Sequence, residues 1–175
     1  MNTLETKSSV SLQRFLTFRL AGEVYGVRVL GVQEIMRLPH ITAVPQLPPH
    51  VRGVFNLRGR IIPAIDLRRY FGLPPVADHT RACVVVAHVD SARRGVQSMG
   101  LIVDAVEDML AIALEEIAPP PDFGRHVTTD SILGIAKVKG AVVALLELSR
   151  LLSGEQRRAM SADHLLTSTP ETVLS

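Results

Sequence analysis

One stretch of this chain occurs twice, and the repeat limits the fold more than any single residue does. Glycine, acid, leucine and arginine positions in residues 53–69 return with the same spacing in residues 134–150, 81 positions later. The matched pairs are Gly53 with Gly134, Gly59 with Gly140, Asp66 with Glu147, Leu67 with Leu148 and Arg69 with Arg150. Upstream, residues 26–35 match residues 100–109 at an offset of 74. Because connecting loops tolerate changes of length, the two offsets predict a duplicated β-unit: two similar lobes that meet along a shared seam.

Each copy of the repeat predicts a β-hairpin followed by a short helix. In the first copy the hairpin spans residues 51–65 and turns at Arg58-Gly59, where glycine supplies the positive φ that a tight turn needs. Asp66 is placed to cap the helix that follows. The second copy predicts the same hairpin over residues 132–147, around Lys139-Gly140, with another short helix after it.

Prolines and apolar runs add detail to this plan. Four prolines between residues 39 and 49 exclude a helix and predict an extended strap that leads into the first hairpin. Pro63 cannot donate a backbone hydrogen bond, so its strand is expected at a sheet edge or at a bulge. Consecutive apolar residues at 84–86 and 142–143 predict strands that are covered on both faces.

The predicted elements divide the chain into three regions. Residues 1–13 are polar and predict a disordered lead-in. Residues 14–152 predict one domain, with lobe one at about 14–71 and lobe two at about 81–152. Residues 153–175 predict a helical extension and a loose tail rich in serine and threonine.

Composition restricts the classes of function open to such a domain. The hydrophobic content of 47% is sufficient to bury a core, and the net charge of +2 is too small to imply nucleic acid as a partner. Aromatic residues make up 4% of the chain and tryptophan is absent, which argues against a stacking platform for single-stranded nucleic acid. The chain shows no signal-peptide pattern and no apolar run long enough to span a bilayer, so we expect a cytoplasmic protein that does not insert into a membrane.

Residue types that carry catalysis or hold cofactors do not fall into a recognised arrangement. The six histidines lack metal-binding spacing, and neither a dinucleotide-binding nor a phosphate-binding glycine motif occurs. Carboxylates cluster at 104–108 and at 115–116, but neighbours in sequence do not form an acid–base pair across a cleft, so solvated loop or strand-edge positions are expected. The sequence predicts no catalytic residue, no cofactor and no metal.

Several charged residues leave more than one interpretation open. Arg58, taken alone, is a turn residue that projects into solvent. Glu34, taken alone, is an exposed acid at a strand end, between Val32 and Ile35, which would ordinarily belong to the core. Five arginines within residues 52–69 form a locally basic stretch, which keeps a nucleic-acid-binding β-barrel protein as the alternative function, although lysines and interleaved aromatic residues are few.

Taken together, these motifs resemble the CheW family of chemotaxis coupling proteins. The resemblance rests on Val-Gln-Glu-Ile at 32–35, the proline strap, Gly-Val-Phe-Asn-Leu-Arg-Gly at 53–59, Asp-Leu-Arg at 66–68 and the strand at 100–106. It is collinear from about residue 15 to residue 152. The resemblance implies a mainly β fold of two similar five-stranded, Src-homology-3-like barrel lobes around a shared hydrophobic seam.

The resemblance also implies a function and a set of site residues. Members of the family are non-enzymatic adaptors that link the cytoplasmic tip of methyl-accepting chemoreceptors to the regulatory domain of a CheA-type histidine kinase. Arg58 and Glu34 match positions implicated in coupling. Val29, Val32 and Ile35 match the receptor-facing region between the lobes.

Two features depart from the family pattern. Gly31 stands where a larger, often charged residue is common, and the hairpin around residues 90–97 is long for the family and carries Arg93-Arg94. These departures leave the identity of the receptor and of the kinase pathway open.

Overall fold

The computed structural model describes residues 11–75, 80–91, 95–121 and 130–151. Within these ranges the chain forms eleven β-strands and very little helix. The elements are β1 (Leu12–Leu20), β2 (Glu23–Arg28), β3 (Val32–Arg37), β4 (Val51–Leu57), β5 (Arg60–Asp66), α1 (Leu67–Tyr70), β6 (Cys83–Ser91), β7 (Gly95–Val103), β8 (Ala105–Ala113), β9 (Ile117–Ala118), β10 (Ile132–Val138) and β11 (Ala141–Leu146).

Short helices follow both repeated hairpins. Asp66 caps α1, because its Oδ1 accepts hydrogen bonds from the backbone nitrogens of Arg68 and Arg69, at 3.0 and 3.4 Å. In the second copy a helical turn over residues 148–151 follows β11. The short helices expected after residues 66 and 147 are therefore confirmed.

Some predicted features lie outside the described residues. They are Arg93-Arg94, the extension and tail at 153–175, and most of the lead-in at 1–13. The end of the lead-in is described, and there the expectation of disorder is wrong: β1 begins at Leu12 and pairs with β8, opposite Ala113. The sequence of the lead-in gives no local sign of this pairing, because its partner strand β8 lies about a hundred residues away along the chain.

The strands form two sheets of similar plan. The first has the order β8-β1-β2-β11-β10-β9, and the second has the order β3-β6-β7-β5-β4. The first sheet exceeds the predicted five strands only by β9, which is two residues long. The mainly β fold of two similar lobes is thus confirmed.

Each sheet takes strands from both halves of the chain. The hairpin β1–β2 joins the first sheet through antiparallel pairing with β8 and parallel pairing with β11. The hairpin β6–β7 joins the second sheet in the equivalent way, through β3 and β5. The predicted lobe boundaries, 14–71 and 81–152, are therefore wrong, because each half of the chain lends its first hairpin to the lobe built by the other half. These pairings are long-range, and local sequence does not encode them.

The two copies of the repeat share their backbone geometry. Arg58 and Lys139 have φ angles of 51° and 50°, and the glycines that follow them have φ angles of 85° and 81°. Each hairpin also carries a register shift just before the first glycine of the repeat, Gly53 in one copy and Gly134 in the other. The duplication read from the sequence is present in the turns and in the bulges.

The sheet-edge alternative for Pro63 is wrong, because β5 lies between β7 and β4. Val54, which is opposite Pro63, exchanges both of its backbone hydrogen bonds with Thr42 of the strap, at 2.8 and 2.9 Å. The backbone of Pro63 therefore turns its nitrogen towards β7, whose pairing with β5 starts only at Ala64. The missing donor falls just outside the ladder, where no hydrogen bond is lost.

Buried side chains form three clusters within the described residues. The largest lies between the sheets and takes residues from both, including the fully buried Phe18 of β1, Val85 of β6 and Leu101 of β7. Each sheet also has a smaller cluster of its own, around Phe55 in the second sheet and around Phe15 in the first. The largest cluster, which we call the shared core, is the seam that the repeat predicts.

Strand β6 shows why consecutive apolar residues are needed beside such a seam. Val85 belongs to the shared core, whereas Val84 and Val86 belong to the cluster of the second sheet. The strand is therefore covered on both faces, as predicted. The same expectation is wrong for Val142, which is 58% exposed, although Val143 beside it is buried.

Gly53 and Gly134 are required because another segment of the chain crosses them closely. A Cβ atom at Gly53 would lie 2.1 Å from the carbonyl oxygen of Thr42 in the strap. A Cβ atom at Gly134 would lie 2.7 Å from the carbonyl oxygen of Ala118 in β9. The strap and β9 thus play the same part in the two lobes, and the repeated glycine makes room for each of them.

Gly53→Ala is expected to lower the free energy of unfolding by about 3 kcal/mol, because the added methyl group overlaps the Thr42 carbonyl and the φ of 152° is unfavourable for an L-residue. Gly59→Ala is the control. A Cβ atom there meets nothing within 4 Å, so only the positive φ remains, at about 1 kcal/mol. Urea unfolding followed by circular dichroism measures both losses, and equal losses would contradict the crossing role of Gly53.

Candidate docking site

The residues that match the receptor-facing region lie on the segment between β2 and β3. A single 3-10 turn, Val29–Gly31, leaves β2 and leads directly into β3. Val29 and Val32 are partly buried and pack against the shared core. Ile35 is 45% exposed, on the face of β3 that alternates with the partly buried one. The segment therefore anchors itself through two valines and presents Ile35 at the surface.

Glu34 and Arg58, which are 24 positions apart, form an ion pair. The Nη2 of Arg58 donates to the Oε2 of Glu34 at 2.9 Å. Glu34 is on β3 and Arg58 is in the β4–β5 turn, and β3 and β4 are the two edge strands of the second sheet. The contact therefore bridges the open side of that sheet. It brings together the two charged residues that match coupling positions of the family.

The turn that carries Arg58 is held in place by its own hydrogen bonds. Positive φ angles at Arg58 and Gly59 are those of a tight primed turn. The Oδ1 of Asn56 accepts a hydrogen bond from the backbone nitrogen of Gly59 at 2.8 Å. The Arg58 side chain is 76% exposed, whereas that of Glu34 is 23% exposed. The guanidinium group thus lies at the surface while its carboxylate partner is largely buried.

The first sheet lacks an ion pair at the positions equivalent to Glu34 and Arg58. Asp108 and Lys139 occupy the matching positions of the repeat. Within the described part of the chain, however, the Asp108 carboxylate accepts from the backbone nitrogen of Met109, at 2.8 Å, and makes no ion pair with Lys139. The repeat has therefore diverged in chemistry while keeping its backbone, and the matching positions of the first sheet do not form the ion pair that Glu34 and Arg58 form in the second.

Leu30 is a surface residue that the sequence interpretation missed. It lies in the turn before β3, and its side chain is 99% exposed. The apolar neighbours Val29 and Val32 suggest a core position for it. The repeat would have indicated an exposed position for Leu30, because the offset of 74 relates it to Asp104, a polar residue.

A second ion pair, also missed, joins α1 to the start of β8. The Nε and Nη2 of Arg68 donate to the two carboxylate oxygens of Asp104, at 2.6 and 2.5 Å. Asp104 also accepts from the backbone nitrogen of Ala21 at 2.9 Å, in the β1–β2 turn. The hydrogen bonds that Arg68 donates to Asp104 raise the pKa of the Arg68 guanidinium above its ordinary value. Both residues stand in motifs that carry the family resemblance, but only the fold brings them together.

The described residues hold no group of three histidine, cysteine, aspartate or glutamate side chains that is able to bind a metal ion. In this part of the chain, no helix has the length and apolar character needed to cross a membrane. The candidate site itself consists of an arginine–glutamate pair with an exposed isoleucine next to it in sequence, groups that suit a protein–protein contact.

The Glu34–Arg58 pair is expected to contribute only about 0.5 kcal/mol to stability, because the Arg58 side chain is 76% exposed, so water screens its charge and ordering the side chain costs entropy. A double-mutant cycle of Glu34→Gln and Arg58→Gln, measured by urea unfolding, gives this coupling energy. Raising the salt concentration should reduce it. A coupling energy above about 2 kcal/mol would assign the pair a structural role instead.

Known proteins share this fold and much of this sequence. The model of the CheW-like domain family matches residues 14–156. The chain is similar to the chemotaxis protein CheW of Klebsiella aerogenes, with 35% identity over 144 residues, 82% of this chain and 84% of that protein. It is similar to the chemotaxis protein CheW of Rhizobium meliloti, with 30% identity over 147 residues, 84% of this chain and 92% of that protein. In three dimensions it is similar to the scaffolding protein TtCheW from Thermoanaerobacter tengcongensis, with a TM-score of 0.72 and 33% identity, covering 81% of this chain and 92% of that one.

These similarities agree with one another in extent and in class. The family match covers the described strands from β1 to β11 almost completely. The family consists of non-enzymatic adaptors, which confirms the predicted class of function. On the strength of the family match and of two relatives at 30% identity or more, the chain belongs to the CheW family of chemotaxis coupling proteins.

Proposed function

We propose that this protein couples the cytoplasmic tip of methyl-accepting chemoreceptors to the regulatory domain of a CheA-type histidine kinase, in the cytoplasm. The observation that carries the proposal is the Glu34–Arg58 ion pair, because it unites two positions that match coupling residues of the family in one surface contact. The segment with Val29, Val32 and Ile35 leads into the same strand. Docking of both partners therefore centres on β3 and the β4–β5 turn.

Arg58 has hydrogen-bond donors to spare for a partner. A guanidinium group carries five N–H donors in a fixed fork, and among the described residues it is Nη2 that bonds to Glu34. A carboxylate on the partner can accept from the remaining donors. Exclusion of water at the interface then strengthens these charge-assisted hydrogen bonds. In this proposal Arg58 contacts the partner, and Glu34 positions the guanidinium group.

Exposed apolar side chains supply the rest of the docking energy. Ile35 is 45% exposed and Leu30 is 99% exposed. Burial of an aliphatic side chain of this size is worth roughly 1.5–3 kcal/mol when it is complete. An apolar centre beside a charged pair has the usual anatomy of a specific protein–protein contact.

Arg58→Ala is expected to cost on the order of 2 kcal/mol in coupling, as interface arginines often do. Its effect on folding stability should not exceed about 0.5 kcal/mol, because the side chain is largely exposed. The coupling is measured as receptor-dependent kinase activation in a mixture of receptor-containing vesicles, a CheA-type kinase and this protein. Thermal melting measures the stability.

Lys139→Ala is the matched control, since Lys139 occupies the same turn position in the other lobe with the same φ. It should leave both kinase activation and melting temperature close to those of the wild type. Full activation by Arg58→Ala would contradict the docking role. A large fall in its melting temperature would instead make Arg58 a structural residue.

A further inference from the structure

A crevice beside α1 carries more positive charge than its own carboxylates neutralise. It has a volume of about 280 Å³, and its charged lining consists of Arg52, Arg68, Arg69, Asp66 and Asp104. Three arginines and two aspartates give this lining a net formal charge of +1, and the other lining residues are apolar. A concave site with apolar walls and an excess of arginine suits an anionic ligand.

The two aspartates of the crevice are already engaged by the protein itself. Arg68 donates to both carboxylate oxygens of Asp104, at 2.6 and 2.5 Å, and also to the backbone carbonyl of Pro74. Asp66 accepts hydrogen bonds from the backbone nitrogens of Arg68 and Arg69. The Arg68 side chain is therefore committed to the fold. The positive charge that remains belongs to Arg69 and Arg52.

Arg52 is a partly buried arginine without an ion pair. Within the described residues the partly buried arginines are Arg28, Arg52 and Arg68. Arg28 pairs with Glu147, and Arg68 pairs with Asp104. The side chain of Arg52 makes no hydrogen bond and no ion pair in this part of the chain. Partial removal of water from a charged group costs free energy unless an opposite charge replaces that water, and an anion in the crevice supplies that charge.

A β-bulge sets the position of Arg52. The register of β4 against β5 shifts between Val51 and Gly53, so Arg52 has no residue opposite it. Bulges redirect side chains and recur beside binding sites. The second copy of the repeat has the same shift at Leu133, which packs against the buried cluster of the first sheet. The backbone of the repeat thus accepts an apolar side chain at this point, and the fold does not require arginine there.

Arg69 adds a second set of donors to the crevice. Its side chain is 55% exposed, and its Nε lies 3.6 Å from the Oδ2 of Asp66. Its Nη1 donates to the backbone carbonyl of Pro49 at 3.4 Å. Both distances are long for contacts of a charged donor. Because a guanidinium group carries five N–H donors, Arg69 and Arg52 together retain several for a ligand.

We propose that this crevice binds a phosphate monoester of a small molecule, with the phosphate group held by Arg52 and Arg69. A phosphate monoester carries a charge of about −1.5 to −2 at neutral pH and three strong acceptor oxygens, so it can accept from both guanidinium groups at once. A carboxylate has one charge and two oxygens. The apolar side chains of Leu73, Pro75 and Ile102 line the space for the rest of the ligand.

The size of the crevice limits the ligand. Its volume of about 280 Å³ is close to the lower end of the range for small-molecule sites, about 300–1,000 Å³. The ligand is therefore no larger than a nucleoside monophosphate. The inference goes beyond the proposed function, because none of the residues that line this crevice belongs to the proposed docking surface. Binding here requires neither receptor nor kinase, so the protein alone is sufficient for the test.

The test is a titration of the ¹⁵N-labelled full chain, followed by nuclear magnetic resonance, with AMP, adenosine and inorganic phosphate at constant ionic strength. AMP should shift the amide signals of Arg52, Arg69 and Ile102 with a dissociation constant of about 1 mM or less. Inorganic phosphate should shift the same signals more weakly. Adenosine lacks the phosphate group and should bind at least about tenfold more weakly than AMP, since the charge-assisted hydrogen bonds are lost.

Two variants remove the proposed phosphate contacts. Arg52→Leu installs the residue that the second copy of the repeat has at this point, so the melting temperature should stay close to that of the wild type. It should weaken AMP binding about tenfold or more. Arg69→Gln changes a largely exposed side chain and should weaken AMP binding in the same direction. Arg60→Leu is the control, because Arg60 is an exposed arginine of the same basic stretch that does not line the crevice.

Localised signal shifts at the crevice, with AMP affinity reduced in Arg52→Leu and Arg69→Gln and unchanged in Arg60→Leu, support the site. Equal AMP affinity of the wild type and Arg52→Leu overturns the inference. Shifts spread over every exposed arginine also overturn it, because they indicate unspecific attraction between charges. Each of these outcomes leaves the proposed function to be decided by the kinase-activation measurement.

Discussion

Four strand pairings join the two halves of this protein, and two of them are short and parallel. β2 pairs with β11, and β5 pairs with β7, so each hairpin completes the sheet of the other half. Gly26 and Gly100 occupy equivalent points in these ladders, opposite Leu145 and Ala64. A Cβ atom at either glycine would meet a neighbouring side chain at 3.0 Å or less. These neighbours are Leu145 at Gly26 and Phe55 at Gly100, which belong to the smaller clusters of the first and second sheets, so each glycine lets the cluster of its own sheet pack closely against the ladder.

The exchange of hairpins also creates two places where the chain passes from one sheet to the other. The chain crosses from the first sheet to the second at Val29–Gly31, between β2 and β3, and it crosses back at Asp104, between β7 and β8. One crossing is fixed by Arg68 and is part of the framework. The other is open and leads to Glu34 and its ion pair. A partner that binds at the open crossing touches both lobes at once, which a surface on a single sheet does not allow.

Local chemistry explains which parts of this architecture the sequence predicts. The Arg58-Gly59 turn and the Asp66 cap depend on residues a few positions apart, so the pattern is enough to identify them. The exchange of hairpins depends on contacts between distant strands, and no local pattern carries it. The same holds for the candidate site: the family motifs name Glu34 and Arg58, but their ion pair is a property of the folded sheet. Leu30 is exposed although it is apolar, because its neighbours Val29 and Val32, and not Leu30 itself, pack against the shared core.

The placement of β1 has a consequence during synthesis. Phe15 and Phe18 of β1 are fully buried. The strands that flank the β1–β2 hairpin are β8 and β11, and they are synthesised much later, as residues 105–113 and 141–146. A ribosome therefore produces the first two strands long before their partners exist. The nascent chain must carry these aromatic side chains uncovered until nearly the whole domain has emerged, and this interval is when aggregation competes with folding. The order of the strands along the chain therefore sets how long these aromatic side chains stay uncovered during synthesis.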